Sequence, residues 1–458
     1  MIEVAVAKAT APLRERIAAL EAELAKAKKN SSNSSKPPSS DMVKPPKPPA
    51  KRGKKRKRGG QPGHEQHLRS PFPPEAVNEF VPYTLDCCPD CGGSLQLSRR
   101  PPDVLQQVEI PSTPTIVTEH QGLAYWCPHC RKFHYAPLPE SVVKAGLFGP
   151  RLTALVAFMK GVCHASFSTI RKFLRDVVRV DISRSYLDKL IAKVSASLAA
   201  SYAELFERLP GEAVLNIDET GHKEYHEKFW TWCFRAQLYT VFHIDKSRGS
   251  KVLVEVLGTE FNGVLGCDYF SAYRKYMREF GVLVQFCMAH LIRDVKFLLT
   301  LPGREDRAYG QRVRDALREL FAVIHRREKL TAAGFQKALQ AARDQVLKVA
   351  TSRVPATRHS QNLAKRFRQH GEAYFRFMTT PDIDPTNNLA EQAIRFVVID
   401  RRITQGTRSE KGRRWCERIW TVIATCAQQG RAAFQFLLDS VHAYLSGTSP
   451  PSLLPAGP

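Results

Sequence analysis

The feature that most constrains the fold is a change of hydrophobic period at Ala213, where helical spacing gives way to short apolar runs. Residues 213–218 form the first run, residues 229–235 alternate aromatic side chains, and residues 238–244 form a third run. Short apolar runs bounded by turn residues are typical of strands, and three in close succession predict hairpins. Helix, strand, helix and strand are then predicted at 249–257, 263–268, 271–280 and 282–288.

This order of elements predicts a mixed sheet. Strands joined by hairpins pair antiparallel, whereas strands separated by a helix pair parallel. The resulting order is that of a ribonuclease H-like fold. Residues 290–378 are almost wholly helical by pattern, and further helices are predicted at 388–396 and 412–430. We therefore expect an α/β core in which a long helical insertion separates the sheet from the last core helix.

A helical segment precedes the sheet. Apolar residues recur at helical spacing in three stretches between Gly149 and Phe206. The stretches at 168–178 and 184–196 have the proportions of a helix-turn-helix, and Ser183 is a suitable N-cap for the second helix. Many three-helix packings share these proportions without contacting DNA. The segment is therefore interpreted either as DNA-binding or as purely structural.

An N-terminal helix carries a short apolar seam. Leu13, Ile17, Leu20 and Leu24 are spaced by four, three and four residues, with charged residues between them. This is the spacing of a coiled coil, but it lasts only about two heptads, whereas three or more are usual. A short dimerising coiled coil and an amphipathic helix docked on its own chain both fit this pattern.

A basic linker follows. Residues 30–50 are mostly Ser, Asn, Pro and Lys, so they bury too little apolar surface to offset the entropy of ordering, and we expect disorder. The next residues include a dense basic block: Lys51, Arg52, Lys54, Lys55, Arg56, Lys57 and Arg58. Such a block neutralises DNA phosphates with salt-sensitive affinity, which fits a chain of net charge +25. A nuclear-import signal or a solubilising tail are the alternatives.

Membrane and secreted proteins are not expected. No stretch reaches the ~18 consecutive apolar residues of a membrane-spanning helix, and the N-terminus lacks the pattern of a secretory signal. Eleven cysteines in 458 residues do not indicate a disulfide scaffold. We expect a protein without membrane contact that stays inside the cell, where thiols are reduced.

Two CPxC motifs predict a zinc module. Cys88, Cys91, Cys127 and Cys130 supply four thiolates in matching pairs, the ligand set of a tetrahedral Zn²⁺ site. Four protein ligands leave no open position for water, so the site is expected to be structural rather than catalytic. A thioredoxin-like redox motif fits less well because it requires a single CxxC in a βαβ setting.

The gap between the two CPxC motifs is longer than usual for a zinc ribbon. Gln106–Glu109 and Thr115–Thr118 have the residue pattern of strands, and we expect these two strands to fill the gap.

Acidic residues stand at the ends of two predicted strands. Asp218 ends the first strand and Asp268 ends the fourth, and each follows a run of apolar residues. The predicted topology makes these strands neighbours, so the two carboxylates are expected to meet at one end of the sheet. A solvated turn is the alternative, since Asp is a common turn residue.

Glu391, on the helix after the insertion, is the candidate for a third carboxylate. Two structural interpretations compete with this one. Asn388 followed by Glu391 fits a capping box, and Glu391 with Arg395 fits an i,i+4 ion pair. Spacing alone does not separate these interpretations.

The chain resembles the transposases of insertion sequence family 66, in their large DDE-type subunit. The motifs occur in the family's order and span about residues 10–430. They are Asn33–Asp41 (NSSKPPSSD), Gly59–His64 (GGQPGH), the two CPxC pairs, Asp218–Thr220 (DET), Cys287–His290 (CMAH) and Thr386–Glu391 (TNNLAE). The resemblance implies that Asp218, Asp268 and Glu391 are the catalytic triad.

The resemblance also implies the chemistry. A DDE transposase holds two Mg²⁺ or Mn²⁺ ions on its carboxylates, cleaves transposon ends and joins the freed 3′-hydroxyl to target DNA. The implied partners are DNA, further copies of the chain in a dimer or higher oligomer, and small accessory proteins, in the cytoplasm of a bacterium beside the nucleoid. A catalytically silent zinc-containing DNA-binding regulator and a structure-selective nuclease of the same fold are the alternatives.

Three arginines follow Glu391. Arg395, Arg401 and Arg402 are candidates for contacts with DNA phosphates near the site, and a solvated basic face explains them equally well.

These features predict a multidomain α+β chain of eight segments. They are an N-terminal helix (1–29), a disordered basic linker (30–66), a zinc-binding module (67–145), a helical segment (146–207), the first part of the core (208–289), a helical insertion (290–380), the last part of the core (381–435) and a C-terminal tail (436–458).

Overall fold

The computed structural model describes residues 70–454 and, near the N-terminus, parts of a helix between Thr10 and Ala27. The basic block from Lys51 to Arg58 and the motifs before it lie outside the described residues. The chain divides into two compact units, Pro46–Thr118 and the remainder.

The smaller unit has little regular structure in its described part. A single 3-10 turn spans Pro74–Ala76, and the side chain of Gln106 bonds to both the amide and the carbonyl of Phe72. The strands predicted at 106–109 and 115–118 are absent, so this prediction was wrong. An alternating pattern forms a strand only with a pairing partner, and here side chains such as Ile116 remain exposed.

In the larger unit, a hairpin carries the second CPxC motif. Strand β1 (Ala124–Cys127) pairs antiparallel with β2 (Lys132–Tyr135). Cys127 ends β1 and Cys130 lies in the turn, where the Arg131 amide donates to the Cys127 carbonyl. The motif is therefore held at the tip of a hairpin.

Five helices lie between the hairpin and the main sheet. They are α1 (Glu140–Ala145), α2 (Pro150–Gly161), α3 (Phe167–Phe173), α4 (Arg184–Ser197) and α5 (Ala199–Arg208). The predicted N-cap Ser183 accepts a hydrogen bond from the Tyr186 amide, as expected. The stretch predicted as one helix at 168–178 is α3 followed by a π-helical turn at Leu174–Val178.

The residues Glu140–Gly161 are long and apolar enough, by length and composition, to cross a membrane. In the structure, a break at Gly146, whose φ is +69°, divides them into α1 and α2. Helix α2 packs against α4 and against a C-terminal helix described below, burying Val156 and Ala157. Core helices satisfy the same criteria, and we interpret this segment as one of them.

The predicted mixed sheet is confirmed. Its strands are β3 (Val214–Glu224), β4 (Glu227–Arg235), β5 (Thr240–Asp245), β6 (Val264–Cys267) and β7 (Leu283–Phe286), in the spatial order β5-β4-β3-β6-β7. Strands β3, β4 and β5 pair antiparallel, and β6 and β7 extend the sheet in parallel from β3. Helix α6 (Lys251–Leu257) connects β5 to β6, and helix α7 (Ser271–Phe280) connects β6 to β7.

A helical insertion follows β7. It comprises α8 (Met288–Leu298), α9 (Arg304–Ile324), α10 (Ala332–Thr351) and α11 (Arg358–His370), with 3-10 turns at Gly371–Tyr374 and Arg376–Met378. Helix α9 packs against α8, α10 and α11. Gln285 of β7 joins the last strand to the end of the insertion, because its side chain bonds to the Tyr374 carbonyl and the Phe377 amide.

Three helices complete the described chain. They are α12 (Asn388–Thr404), α13 (Glu410–Gln428) and α14 (Ala433–Ser446). Helix α14 packs against α2 and α4, so residues expected to form a tail from 436 are instead largely helical.

Helix α13 covers the outer edge of β5. The outward amides of Thr240, Phe242 and Ile244 donate to side chains of Thr425, Thr421 and Glu417. Four helical residues rise about 6.0 Å and two strand residues about 6.6 Å, so every fourth helix position meets every second strand amide. The helix thereby satisfies the donors that an edge strand would otherwise expose.

Candidate active site

Strand register places Asp218 beside Asp268. In the parallel ladder, Leu215 is opposite Leu265 and Asn216 is opposite Gly266. Two residues further along each strand come Asp218, still within β3, and Asp268, directly after β6. Both residues are only partly exposed. The expectation that these two carboxylates meet at one end of the sheet agrees with this register.

Asn387 anchors the start of helix α12 to the same end of the sheet. Its side chain donates to the Ile217 carbonyl at 2.7 Å and accepts from the side chain of Asn216 at 3.0 Å. Its amide donates to the sulfur of Cys287, which follows β7. Because Asn387 precedes the first turn of α12, these bonds fix the position of Glu391 in that turn.

Gly266 leaves room for this anchor. A Cβ at residue 266 would lie 2.4 Å from the side-chain nitrogen of Asn216. Any larger residue would therefore displace Asn216, and with it the hydrogen bond to Asn387. The glycine in the middle of a buried strand is explained by this close approach.

The carboxylates at the sheet end lie in an environment that disfavours their charged form. Burial raises the pKa of Asp218 well above its usual value, and the charges of Glu219, Asp268 and Glu391 raise it further. Burial also raises the pKa of Asp268, against a hydrogen bond from the Phe270 amide. No basic side chain in the described chain forms an ion pair with Asp218 or Asp268. The site therefore concentrates negative charge that a cation would stabilise.

Glu391 forms neither of the two structural contacts that compete with a site role. The N-cap of α12 is Asn387 rather than Asn388, and no side chain caps the helix. Instead of Arg395, the partner of Glu391 is Arg293 of α8, at 2.8 Å. An acidic residue thus lies in the first turn of a core helix and faces the insertion.

His290 and Cys287 flank Glu391. The potential ligand atoms of these three residues all lie within 4.8 Å of one another. Burial, and then the charge of Arg293, lower the pKa of His290 to about 3, so the imidazole is neutral near pH 7. Arg293 also lies 3.4 Å from the His290 Nδ1 atom. The CMAH segment of the sequence thus corresponds to a cluster around Glu391.

Glu219, the middle residue of the DET motif, lies directly behind the site. Its carboxylate accepts two hydrogen bonds from Arg248, at 2.9 and 2.7 Å, and a further bond from the Tyr273 hydroxyl. Burial and the charge of Asp268 raise its pKa to about 7. The DET motif was a signal for Glu219, but nothing in the sequence indicated Arg248 or Tyr273 as its partners.

The three arginines after Glu391 differ in their environments. Arg401 donates to the Thr220 hydroxyl of β3 at 3.0 Å and is partly buried. Arg395 and Arg402 are exposed. Arg401 therefore has a structural contact next to the site, whereas Arg395 and Arg402 are open to a phosphate backbone.

The first cysteine of each CPxC motif has a thiol of lowered pKa. In the smaller unit, amides of Asp90 and Cys91 bond to the Cys88 sulfur and lower the pKa of its thiol. In the hairpin of the larger unit, the Cys130 amide does the same for Cys127. Thiolates are the form that binds zinc, so each motif is locally arranged as a metal knuckle.

The chain matches three protein families. Residues 145–414, more than half of the chain, match the Transposase IS66 family. Residues 86–131 match the zinc-finger binding domain of transposase IS66, and residues 3–70 match a family of unknown function. No curated protein matches the chain. The resemblance carried by the motifs is thereby confirmed, and the chain belongs to the IS66 family of transposases.

Proposed function

We propose that this protein cleaves DNA at transposon ends and joins the freed 3′-hydroxyl to target DNA, with Asp218, Asp268 and Glu391 as the catalytic carboxylates. The observation that carries the proposal is the pair of aspartates just beyond the parallel ladder of β3 and β6, neither of which forms an ion pair with a basic side chain of the described chain. Glu391, on a helix anchored to the same sheet end, completes the set. The strand order supports a ribonuclease H-like core.

The donor set fits Mg²⁺ or Mn²⁺. Carboxylate oxygens are the ligands that these hard cations prefer. Burial raises the pKa values of Asp218 and Asp268, so a bound cation would stabilise their charged forms. We infer that Asp218, Asp268 and Glu391 hold two ions per site. When bound, such ions activate an attacking oxygen and stabilise a leaving oxygen in phosphodiester displacement.

Two in-line displacements follow from this assignment. In the first, water attacks the phosphodiester at a transposon end, its O–P bond forms, and the P–O3′ bond breaks to leave a 3′-hydroxyl. In the second, that 3′-oxygen attacks a target phosphodiester and displaces the target's own 3′-oxygen. The partly exposed Asp218 and Asp268 are accessible to a backbone lying across the sheet end, and the exposed Arg395 and Arg402 contact its phosphates.

We infer that Zn²⁺ stabilises the module between residues 67 and 145. The match to a zinc-finger domain and the equal CPxC register support Cys88, Cys91, Cys127 and Cys130 as one ligand set. Purified protein should contain about one zinc per chain by atomic emission. Cys127→Ser should lose the metal, whereas Cys163→Ser, an exposed cysteine outside both motifs, should retain it. Equal zinc in both variants would contradict the assignment.

We propose that the working form is a dimer or higher oligomer on paired DNA ends, associated with the bacterial nucleoid and assisted by small accessory proteins. The exposed seam of Leu13, Ile17, Leu20 and Leu24 supports pairing through the N-terminal helix, because each side chain is about half exposed or more.

The decisive experiment uses DNA carrying the ends that flank the gene. Wild-type protein should nick and join this DNA in Mg²⁺, and Asp268→Asn should abolish both steps while binding persists. The matched control is Asp439→Asn, an exposed carboxylate of α14, which should act as wild type. Cleavage without joining would favour a nuclease. Binding without chemistry, with accessory proteins supplied, would favour a silent DNA-binding regulator.

A further inference from the structure

A basic pocket lies beside the carboxylates. It has a volume of about 390 Å³ and is formed by residues 248–250, just before α6, and by Phe270 and residues of α7 as far as Arg278. Four cations line it: Arg248, Arg274, Lys275 and Arg278. Phe270 and Ser271, at the N-terminal end of α7, also line the pocket. No acidic residue contributes to its lining. A pocket of this composition selects an anion.

The cations of the pocket are incompletely neutralised. Within the described chain, Arg274 and Arg278 form no ion pair, and the buried Nε of Arg274 has no hydrogen-bond partner. Lys275 has Glu279 as its partner at 3.7 Å on the helix surface. Arg248 alone forms a close pair, with Glu219. The Arg274 guanidinium stacks on the Tyr269 ring, 4.5 Å from its centroid, so its charge has an aromatic neighbour but no acidic partner among the described residues.

Helix α7 adds its own positive end. Its N-cap is Phe270, no side chain caps the first turn, and no acidic residue lies in that turn. The first amides of a helix have no partners within it and carry partial positive charge. These amides, together with the four cations, make the pocket suited to phosphate oxygens.

The pocket is connected to the carboxylates through two contacts. The Phe270 amide, at the start of α7, donates to the carboxylate of Asp268 at 2.8 Å. Arg248 stacks on the Phe270 ring, 4.0 Å from its centroid, while its nitrogens bind Glu219 next to Asp218. An anion in the pocket therefore lies on the α7 side of the same sheet end.

We propose that this pocket binds a backbone phosphate of the DNA strand that is cleaved. The proposal rests on the function proposed above and adds a subsite to it. DNA is favoured over a small free anion because Ser271, Lys275 and Arg278 are exposed, so the pocket admits one phosphate of a continuous chain. Phosphates held beside the carboxylates fix the position of the scissile bond.

The test measures binding of full-length protein to end DNA by fluorescence anisotropy at several salt concentrations. Arg278→Ala with Lys275→Ala should weaken binding about tenfold and lower the slope of log affinity against log salt by about 0.9 for each phosphate that is no longer neutralised. Both residues are exposed, so the variant should fold. Arg278→Lys should retain most affinity, and Lys337→Ala, an exposed lysine of α10, should match wild type.

Methylphosphonate substitution locates the bound phosphate. Single phosphates are neutralised one at a time along the DNA. At one position, the substitution should lower the affinity of the wild-type protein but leave the affinity of the Arg278→Ala, Lys275→Ala variant unchanged, because that variant has already lost the contact. Equal sensitivity of both proteins at every position would overturn the proposal. So would an unchanged salt slope, or loss of inorganic pyrophosphate binding in the variant with DNA binding intact, which would indicate a small-anion site. Because binding is the readout, failure of wild-type cleavage would count against the proposed function and not against this subsite.

Discussion

At the scale of single residues, Arg293 determines how Glu391 is held. Its guanidinium bonds to the Glu391 carboxylate at 2.8 Å. His290 also lies near this carboxylate but is neutral, so Arg293 is its only charged basic partner among the ion pairs of the described chain. Glu391 belongs to α12 and Arg293 to α8, so the contact joins the core to the insertion. We assign Arg293 as a positioning residue.

Arg293→Ala should therefore slow cleavage about 100-fold, because a carboxylate displaced by about 1 Å loses the geometry of the reaction. DNA affinity should stay unchanged, so kcat should fall without a rise in KM. Arg293→Lys should recover part of the rate. Arg318→Ala, an exposed arginine of α9, is the control and should have no effect. Equal reductions in binding and rate would show instead that Arg293 contacts DNA.

His222 makes the stability of the core depend on pH. Burial and the charge of Arg401 lower its pKa from 6.5 to about 4, and its Nδ1 has no partner in the described chain. As the pH falls, the His222 imidazole therefore binds a proton in the unfolded chain at a higher pH than in the folded chain. The stabilisation is complete above pH 6.5 and should decrease by about 2 kcal/mol between pH 7 and pH 5.

Chemical denaturation at pH 7 and pH 5 measures this effect. His222→Gln should show a smaller loss of stability between the two pH values than wild type. Some dependence should persist in the variant, since the pKa of His290 is also lowered, while the raised pKa of Glu219 acts in the opposite direction in both proteins. An identical loss in both proteins would mean that the pKa of His222 is the same in the folded and unfolded states.

The sequence predicted part of the site for identifiable reasons. Asp218 and Asp268 were predicted because each polar residue ends an apolar run, and the strand order made their strands neighbours. Glu391 required the family resemblance, since its spacing fits a capping box equally well. Arg293 and Arg248 were missed because their partners lie far away in the sequence, and an arginine that reaches across a fold has no local signature.

At the scale of elements, the contact between α13 and β5 is the least expected feature. Thr421 and Thr425 resemble buried residues of an ordinary amphipathic helix, yet their hydroxyls accept hydrogen bonds from amides of the edge strand. The hydrogen bonds should contribute measurably to stability, since a buried amide without an acceptor incurs its full desolvation cost.

Thr421→Val should destabilise the protein by about 1–3 kcal/mol, because it leaves the Phe242 amide without an acceptor. Thr231→Val is the matched control. Thr231 is equally buried, but its hydroxyl has no partner in the described chain, so its removal should be neutral or stabilising. Urea denaturation of both variants distinguishes them. Similar destabilisation by the two substitutions would mean that packing, rather than the amide bond, dominates.

The periodicity of the sequence predicted most helices and strands of the core. It failed where pairing with another strand or packing against another helix determines the structure. The first core strand was expected to end at 218 but runs to Glu224, because β4 pairs with it to the tip of the hairpin. The strands expected at 106–109 and 115–118 found no such partner. Helix α14 was not anticipated, although its buried face packs against α2 and α4.

At the scale of the whole molecule, the distribution of charge governs how the chain meets DNA. The net charge of +25 combines a basic block at 51–58, which lies outside the described residues, with basic residues at the sheet end. The first is a dense run of Lys and Arg, and we propose that it neutralises phosphates without orienting them. The second is a surface held in fixed geometry beside the carboxylates.

Deleting residues 51–58 should therefore reduce affinity for any duplex and lower the salt slope by several units, at about 0.9 per phosphate neutralised. Preference for transposon ends over unrelated DNA should be retained, because contacts of lysine and arginine with phosphates carry no sequence information. Anisotropy titrations on both duplexes, with a glycine-serine linker of the same length as control, measure this. An unchanged salt slope would exclude the block from phosphate binding.

The covered edge of β5 also has a consequence during protein synthesis. The strand is complete at Asp245, but the side chains that accept its amides begin at Glu417. At ~5–20 residues per second, the ribosome needs roughly 10 to 30 seconds to make the intervening chain. Throughout that interval, the nascent sheet presents open amides to neighbouring chains on the same messenger RNA. The translation rate across the insertion therefore influences how much of this protein reaches its native state.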